Sequence, residues 1–269
     1  MGGKLVLTIL GCGSSGGVPR PGSGWGACDP ADPRNRRRRC SLLVEAVAQG
    51  KSTAVLVDTS PDLREQLIGA EVQHLDAVLF THDHADHTHG IDDLRPLVLH
   101  MRRMIDLHAD DRTAATLKAR FGYIFETPEG SEYPPIARLW RLSPSQAFAI
   151  EGPGGAVPVE PIEVEHGPNY RALGFRFGRA AYVPDVSALP ARAMAALRGL
   201  DVLILDALRL TRHPTHFSLA ESLAAIEALK PRRAILTNLH TDLDYQRLIN
   251  ELPDHVEPAF DGMKIELSI

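Results

Sequence analysis

The chain opens on an apolar run, KLVLTIL at 4–10, that breaks on the glycine-rich GCGSSGG. Runs of the same kind, rich in Val, Ile and Leu, recur at CSLLVEAVA, TAVLVD, AVLFTH, AVPVEPIEVEH, ALGFRF, AAYVPD, DVLILDA, RAILTNL and KIELSI. Their length and β-branched content between turn residues predict strands. Between them the apolar spacing becomes helical, predicting helices over Pro61–Ile68, Asp111–Arg120, Ala188–Leu197, Ser218–Leu229 and Leu243–Leu252. Ser218 with Glu221 three positions later forms a capping box, each side chain covering a backbone N–H that the first turn leaves open. Both halves of the chain begin with consecutive strands and gain helices later. The expected class is therefore α/β, a helix/sheet/sheet/helix sandwich rather than a doubly wound parallel sheet.

Residues 1–269 read as a single domain without an internal repeat. Phe121–Ser145 mixes aromatics with Pro and Gly, shows no period, and reads as an insertion over one edge of the core. FDGM at 260–263 reads as a hairpin turn before the last strand.

With 269 residues and 44% hydrophobic positions, the chain is long enough to bury its own core. Its net charge of −5 gives no global attraction to DNA or to a membrane surface. No stretch reaches the ~18 apolar residues of a transmembrane helix, and MGGKLVLTILGCG has no convincing cleavage site, so it reads as the first strand. Cys12, Cys28 and Cys40 contain no C-x-x-C pair, which suits a reducing, cytoplasmic setting. Nothing fixes the oligomeric state, and a homodimer stays open.

The chemistry concentrates in THDHADHTHGIDDLRPL, directly after an apolar run. His82, His84, Asp86 and His87 form H-x-H-x-D-H, where imidazoles suit zinc-like ions and a carboxylate adds an oxygen ligand and charge neutralisation. His82 and His84, two apart on an extended segment, face the same way and can share one ion. Asp83, between them, points away.

This motif resembles that of the metallo-β-lactamase-fold hydrolases, an αββα sandwich of two mixed sheets flanked by helices. The resemblance implies three further ligands in the order His, Asp, His, each at a strand end. The chain offers His166 in IEVEHG, Asp185 in AAYVPDV and His240 in AILTNLH. On that pattern His82, His84 and His166 hold one divalent ion, Asp86, His87 and His240 the other, and Asp185 bridges them. Zinc, manganese and iron all fit such donors. Two ions about 3.5–4 Å apart share a hydroxide and clamp the attacking and leaving oxygens. Taken singly, Asp185 also suits the cap of the helix near Ala188, and His166 and His240 suit surface positions after strands.

Other stretches bear on the substrate. LTILGCGSSGGVP resembles the L-G-T-G-x-x-x-G-x-P start of the family's phosphodiesterase branch, with Cys12 where threonine is usual. That branch includes ribonuclease Z and the cyclic-phosphate phosphodiesterase of the carbon–phosphorus lyase pathway. His216, just before the capped helix, matches the histidine of those enzymes that protonates the leaving oxygen, help worth ~10²–10⁴ in rate. The expected catalytic residues are His216 and Asp86, the latter also a metal ligand. HGIDDLR also resembles the carbon–phosphorus-lyase type, although GSGWGACDPADP carries only Cys28 where that enzyme has clustered cysteines, so a separate structural zinc site is not expected.

Arg34 and Arg36–Arg39 suit either phosphate recognition or a solvated basic edge. His89, His213 and Trp25 suit either substrate contact or packing. Asp92 and Asp93 fall in a first helical turn, where acids are favoured. The expected protein is a binuclear metal-dependent phosphodiesterase that hydrolyses a small cyclic or nucleotide-like phosphodiester. Alternatives are a ribonuclease Z-like RNA processor, disfavoured by the acidic net charge and the lack of a basic arm, and a thioesterase or lactonase of the same fold. A metal-holding nucleotide-binding or carrier protein is the alternative outside enzymes.

Overall fold

Strands β1 (Lys4–Gly11), β2 (Ser41–Ala48) and β3 (Lys51–Val57) form an antiparallel meander, and β4 (Ala77–Leu79), β5 (Ile105–Ala109) and β6 (Ala137–Arg141) extend it in parallel. The parallel steps need crossovers, supplied by α1 (Leu63–Gly69), by α2 (Ala85–Thr88) with α3 (Arg95–Met101), and by α4 (Asp111–Phe121). The second sheet starts antiparallel through β7 (Phe148–Ile150), β8 (Val157–Glu165), β9 (Arg171–Phe177) and β10 (Ala180–Val183). It continues in parallel through β11 (Val202–Asp206), β12 (Arg233–Thr237) and β13 (Val256–Pro258), joined by α5 (Ala191–Ala196), α6 (Leu219–Leu229) and α7 (Tyr245–Glu251). Finally β14 (Lys264–Ser268) crosses back to pair antiparallel with β1. The result is two mixed seven-stranded sheets, β14-β1-β2-β3-β4-β5-β6 and β13-β12-β11-β10-β9-β8-β7. This computed structural model describes residues 3–268; Met1 and Gly2 of the N-terminal stretch and Ile269 of the last predicted strand lie outside it. No helix among the described residues is long and apolar enough to cross a membrane.

Three apolar layers explain why the strands read as unbroken runs. Between the sheets, Leu7, Ile9, Val44 and Val57 pack against Phe175, Phe177, Tyr182, Ile204 and Ile235. The alternate residues of the same strands point outward and are buried as well. Leu43, Leu56 and Val78 lie under α1 and α4 with Leu63, Leu67 and Leu117, while Leu203, Leu205 and Leu236 lie under α5 and α6 with Leu197, Ile226 and Leu229. A strand covered on both faces has no polar side to alternate with.

The capping box at Ser218 and Glu221 is formed. The helix expected from Ala188 starts only at Ala191, with Pro190 as its cap, because the chain between Asp185 and Pro190 bends around the site; Asp185 does not cap it. FDGM is not a hairpin turn, since β13 and β14 belong to different sheets. It is a crossover, held by Gly262 N–H donating to the Ile9 carbonyl at 2.7 Å. Residues 121–145, expected as an insertion, contain β6, the edge strand paired with β5.

Candidate metal centre

The crossover geometry brings several strand ends to one edge of the sandwich. Beyond β4 come His82, His84 and His87; beyond β8, His166; beyond β10, Asp185; and between β11 and α6, His216. The ligand atoms of His82, His84 and His166, those of His82, His87 and Asp185, and those of His166, Asp185 and His216 each form a set within 4.8 Å. Asp185 is common to two of these. Its carboxylate oxygens lie 3.2 Å from His87 Nε2, 3.6 Å from His166 Nε2, 3.9 Å from His82 Nε2 and 3.8 Å from His216 Nδ1.

Each inward-facing imidazole has its orientation set from behind. Asp58, at the end of β3, accepts His87 Nδ1–H at 2.7 Å, the Thr81 hydroxyl at 2.8 Å and the Thr81 backbone N–H at 2.8 Å. Because the Thr81 hydroxyl donates to Asp58, it accepts at its lone pairs, and His82 Nδ1 lies 2.9 Å away. His166 Nδ1 donates to the Thr215 carbonyl at 2.7 Å. In all three rings the outward nitrogen carries a proton and Nε2 faces the centre; in the neutral rings of His82 and His166 that Nε2 presents its lone pair, and His87 Nε2 does so once its second proton is lost. His84 differs, bringing Nδ1 to 3.3 Å from His166 Nε2. Asp58 holds a positive φ of 63°, unusual for a non-glycine residue and confined to a position that its surroundings over-determine.

Burial pushes His82, His84 and His166 below the ordinary imidazole pKa, which favours the neutral ligating form. Burial acts the same way on His87, but Asp185, Asp58 and Asp86 together hold it well above the usual value. Burial works to raise Asp185, and the surrounding imidazoles, His87 first, hold it well below the carboxylate range. Two buried atoms show what the centre lacks within the protein. Among the described residues His82 Nε2 has no hydrogen-bond partner, and Asp185 Oδ1 makes none although His87 Nε2 is 3.2 Å away. Polar atoms buried without partners are costly, and a divalent ion suits a set of convergent lone pairs and one carboxylate.

Of the residues expected from sequence, Asp86 and His240 stand outside the tight sets. Asp86 reaches 3.5 Å from His87 Nε2, while His240 Nε2 is engaged by the Arg20 guanidinium. Both still line the same cavity of about 210 Å³, with His84, Asp185, His213 and His216. His216 Nδ1 lies 2.8 Å from Asp206 Oδ2, and its Nε2 makes no hydrogen bond among the described residues. Burial acts to lower the pKa of His216, but the charge and hydrogen bond of Asp206 push it up to about 9. Burial raises Asp206 to about 6, so at neutral pH the pair is imidazolium and aspartate. Asn238 completes it by donating to Asp206 Oδ1 at 3.1 Å.

Asp58, Asp206 and Arg20 were not singled out in the sequence. The signal for the first two is an acid ending an apolar strand, VLVD and LILD. The arginine run is mostly structural. Arg37 is fully buried and donates to the Leu243 carbonyl at 2.7 Å and to Asn35 Oδ1 at 3.1 Å. Arg38 pairs with Asp261 at 3.0 Å, and Arg39 with Asp62. Arg34 pairs with Asp32 at 2.8 Å, and Arg36 lies 5.3 Å over the Trp25 ring. His89 faces a separate cleft, and Asp92 accepts from the Tyr123 hydroxyl.

The model of the beta-lactamase superfamily domain matches residues 53–238. A solved diphosphatase from the PhnP family is 37% identical, with a TM-score of 0.88 over 99% of this chain and 98% of that one. The octanoyltransferase of Porphyromonas gingivalis is 31% identical over 261 residues, 95% of this chain; the chain spans 50% of the length of that curated relative. Zinc-bound PqqB from Methylobacterium extorquens shares the fold at 19% identity, with a TM-score of 0.75 over 97% of this chain and 100% of that one. With an αββα sandwich and a His/Asp centre at its strand ends, the chain belongs to the beta-lactamase superfamily, with the metallo-β-lactamase fold and a relative in a PhnP-family diphosphatase.

Proposed function

We propose that the protein is a metal-dependent phosphodiesterase acting on a small cyclic or nucleotide-like phosphodiester. The observation that carries this reading is the His216–Asp206 pair beside the ligand set, with His216 Nε2 making no hydrogen bond among the described residues and the ring on the cavity wall. An ester oxygen leaves as a poor, basic alkoxide unless it is protonated, and a charged imidazolium next to the reacting centre is suited to supply that proton.

His82, His84 and His166 would hold one ion and Asp86, His87 and His240 a second, with Asp185 between them. For His240 this means release from Arg20. When bound, such ions supply an ionised water at neutral pH and charge neutralisation for a phosphoryl group. The protein's own residues do the rest. Asp58 and the Thr215 carbonyl keep His87 and His166 in the ligating tautomer. Arg20 and Arg209 line the cavity and give a phosphate anion its counter-charge. Asp206 orients His216 and stabilises its charged form until the proton is given up.

A second reading, hydrolysis of a diphosphate, is favoured by the 37% identical relative described as a diphosphatase. The two differ at the leaving group. Phosphate leaves from an anhydride with little acid help, so the elaborated His216 pair favours the ester. The test is a screen of the metal-reconstituted protein on bis(p-nitrophenyl) phosphate, 2′,3′-cyclic nucleotides, cyclic ribose phosphate, a nucleoside diphosphate, a cephalosporin and a glutathione thioester. Turnover of diesters that falls in His216→Ala supports the first reading. Cleavage of the nucleoside diphosphate alone supports the second, and cleavage of only the last two substrates refutes both.

A further inference from the structure

A second cleft, of about 510 Å³, adjoins the centre and is lined by Asp83, His84, Ala85, His89, Arg112, Arg120 and Tyr170. It shares one wall with the cavity described above, the exposed ring of His84. A molecule whose phosphorus sits at the His/Asp centre therefore has two directions in which to extend, and one of them passes over His84 into this cleft.

The cleft is built rather than incidental. Arg112, Thr116 and Arg120 recur every four residues along α4, so they share one helical face, and all three engage Asp83. The Thr116 hydroxyl donates to Asp83 Oδ2 at 2.7 Å, Tyr170 donates its hydroxyl to Asp83 Oδ1, and Arg120 Nη1 donates to the Asp83 carbonyl at 3.0 Å. Arg112 Cζ lies over the Tyr170 ring, 4.0 Å from its centre, and Tyr170 stacks in turn on His84 at 4.9 Å and 26°. Two guanidinium groups are thus held in place beside a metal-ligand imidazole.

Their charges are only partly answered. Among the described residues Asp83 is the one acid lining the cleft, and both its oxygens already accept from neutral hydroxyls. Arg112 Nε stays 3.7 Å from Asp83 Oδ2, beyond hydrogen-bonding distance, and its terminal nitrogens have no hydrogen-bond partner among the described residues. On a chain of net charge −5, two oriented arginines with donors to spare mark a place for an anion.

We propose that this cleft is a subsite for a second anionic group of the substrate, a phosphate or carboxylate set apart from the scissile phosphorus. Resting on the phosphodiesterase reading above, it narrows the substrate class to small phosphoesters that carry a further negative charge. His84 is then both a ligand and the sill over which the substrate passes, and Arg112 and Arg120 determine specificity without touching the reacting atoms.

The test is binding of non-hydrolysable probes to the metal-loaded protein by calorimetry. Alkylphosphonates with two to four carbons are compared with the same chains ending in a carboxylate or a second phosphonate, which separates the two sources of charge. One charge-assisted contact predicts a preference of about tenfold for at least one doubly anionic probe over its plain counterpart. In R112A/R120A that ratio falls to about one, while R112K/R120K retains part of it; thermal melts of both variants confirm that they are folded. No preference at any chain length, or a preference that survives in R112A/R120A, overturns the proposal. Failure of the metal-loaded wild type to turn over any phosphoester would remove the phosphodiesterase reading but leave this comparison intact, because it is read in binding.

Discussion

Replacing Asp58 by Asn changes no volume and removes one charge, yet it should cost most of the metal affinity. The carboxylate accepts three hydrogen bonds, from His87 Nδ1, the Thr81 hydroxyl and the Thr81 backbone N–H. An amide can satisfy only one side of this arrangement. With its NH₂ toward His87, Nδ1 must become the acceptor, so the proton moves to Nε2 and His87 no longer presents a lone pair to the centre. With its oxygen toward His87, the NH₂ confronts the Thr81 N–H, and a buried donor goes unmet at a cost of about 1–3 kcal/mol. Asp58 and His87 are essentially inaccessible to solvent, so water cannot relieve either mismatch. The second arrangement alone corresponds to a roughly 5- to 150-fold loss, and carboxylates that orient ligating histidines typically contribute about 10- to 100-fold. D58N should therefore bind zinc or manganese about 10- to 100-fold more weakly, as measured by competition with a chromophoric chelator. A folded D58N protein with wild-type metal affinity would refute the tautomer reasoning.

His216→Ala should lower kcat by ~10²–10⁴ on diesters with alkyl leaving groups and much less on p-nitrophenyl esters, with metal content unchanged. Because the pKa of His216 is raised to about 9, the acid form persists below that pH and is lost above it, giving an alkaline fall in kcat; Asp206→Asn should move that fall to lower pH, as a pH–rate profile would show. Arg37→Met takes the 2.7 Å donor from the Leu243 carbonyl and one of two donors from Asn35 Oδ1, which keeps the Tyr245 N–H, and should lower stability by about 1–3 kcal/mol in urea denaturation. Gly90→Ala puts a Cβ 1.9 Å from the Ser60 carbonyl oxygen, so the turn after H-x-H-x-D-H must shift, costing ~1–3 kcal/mol in thermal or urea unfolding and weakening metal retention.

The layered fold was legible because strands buried on both faces leave long apolar runs, and because Ser218 and Glu221 mark a helix start with local chemistry alone. What escaped was short or decided at a distance. β5, β6, β7 and β13 have three to five residues each, and their pairing with neighbours rather than their own pattern makes them strands. FDGM looked like a hairpin because a turn's residues do not say to which sheet the chain goes next. At the site, H-x-H-x-D-H was visible within six positions, whereas His166, Asp185 and His216 were found through the order and places that the family resemblance implies. Asp58 and Asp206 were hidden, since an aspartate ending a strand looks the same whether it meets water or an imidazole. The arginines read equally as a phosphate site or a solvated edge, because Asp62 and Asp261, the partners of Arg39 and Arg38, are distant in sequence.

The centre draws His82, His84 and His87 from the end of one sheet and His166, Asp185 and His216 from the other. Two of the three close sets take members from both sheets, so opening the sandwich takes those two sets apart. An ion that binds only the closed sandwich at a hundred times its dissociation constant adds about 2.7 kcal/mol to folding. For a metal-loaded protein the supply of the ion would then act on folding as well as on chemistry: at low supply less of the chain would stay closed and more would be open to proteolysis.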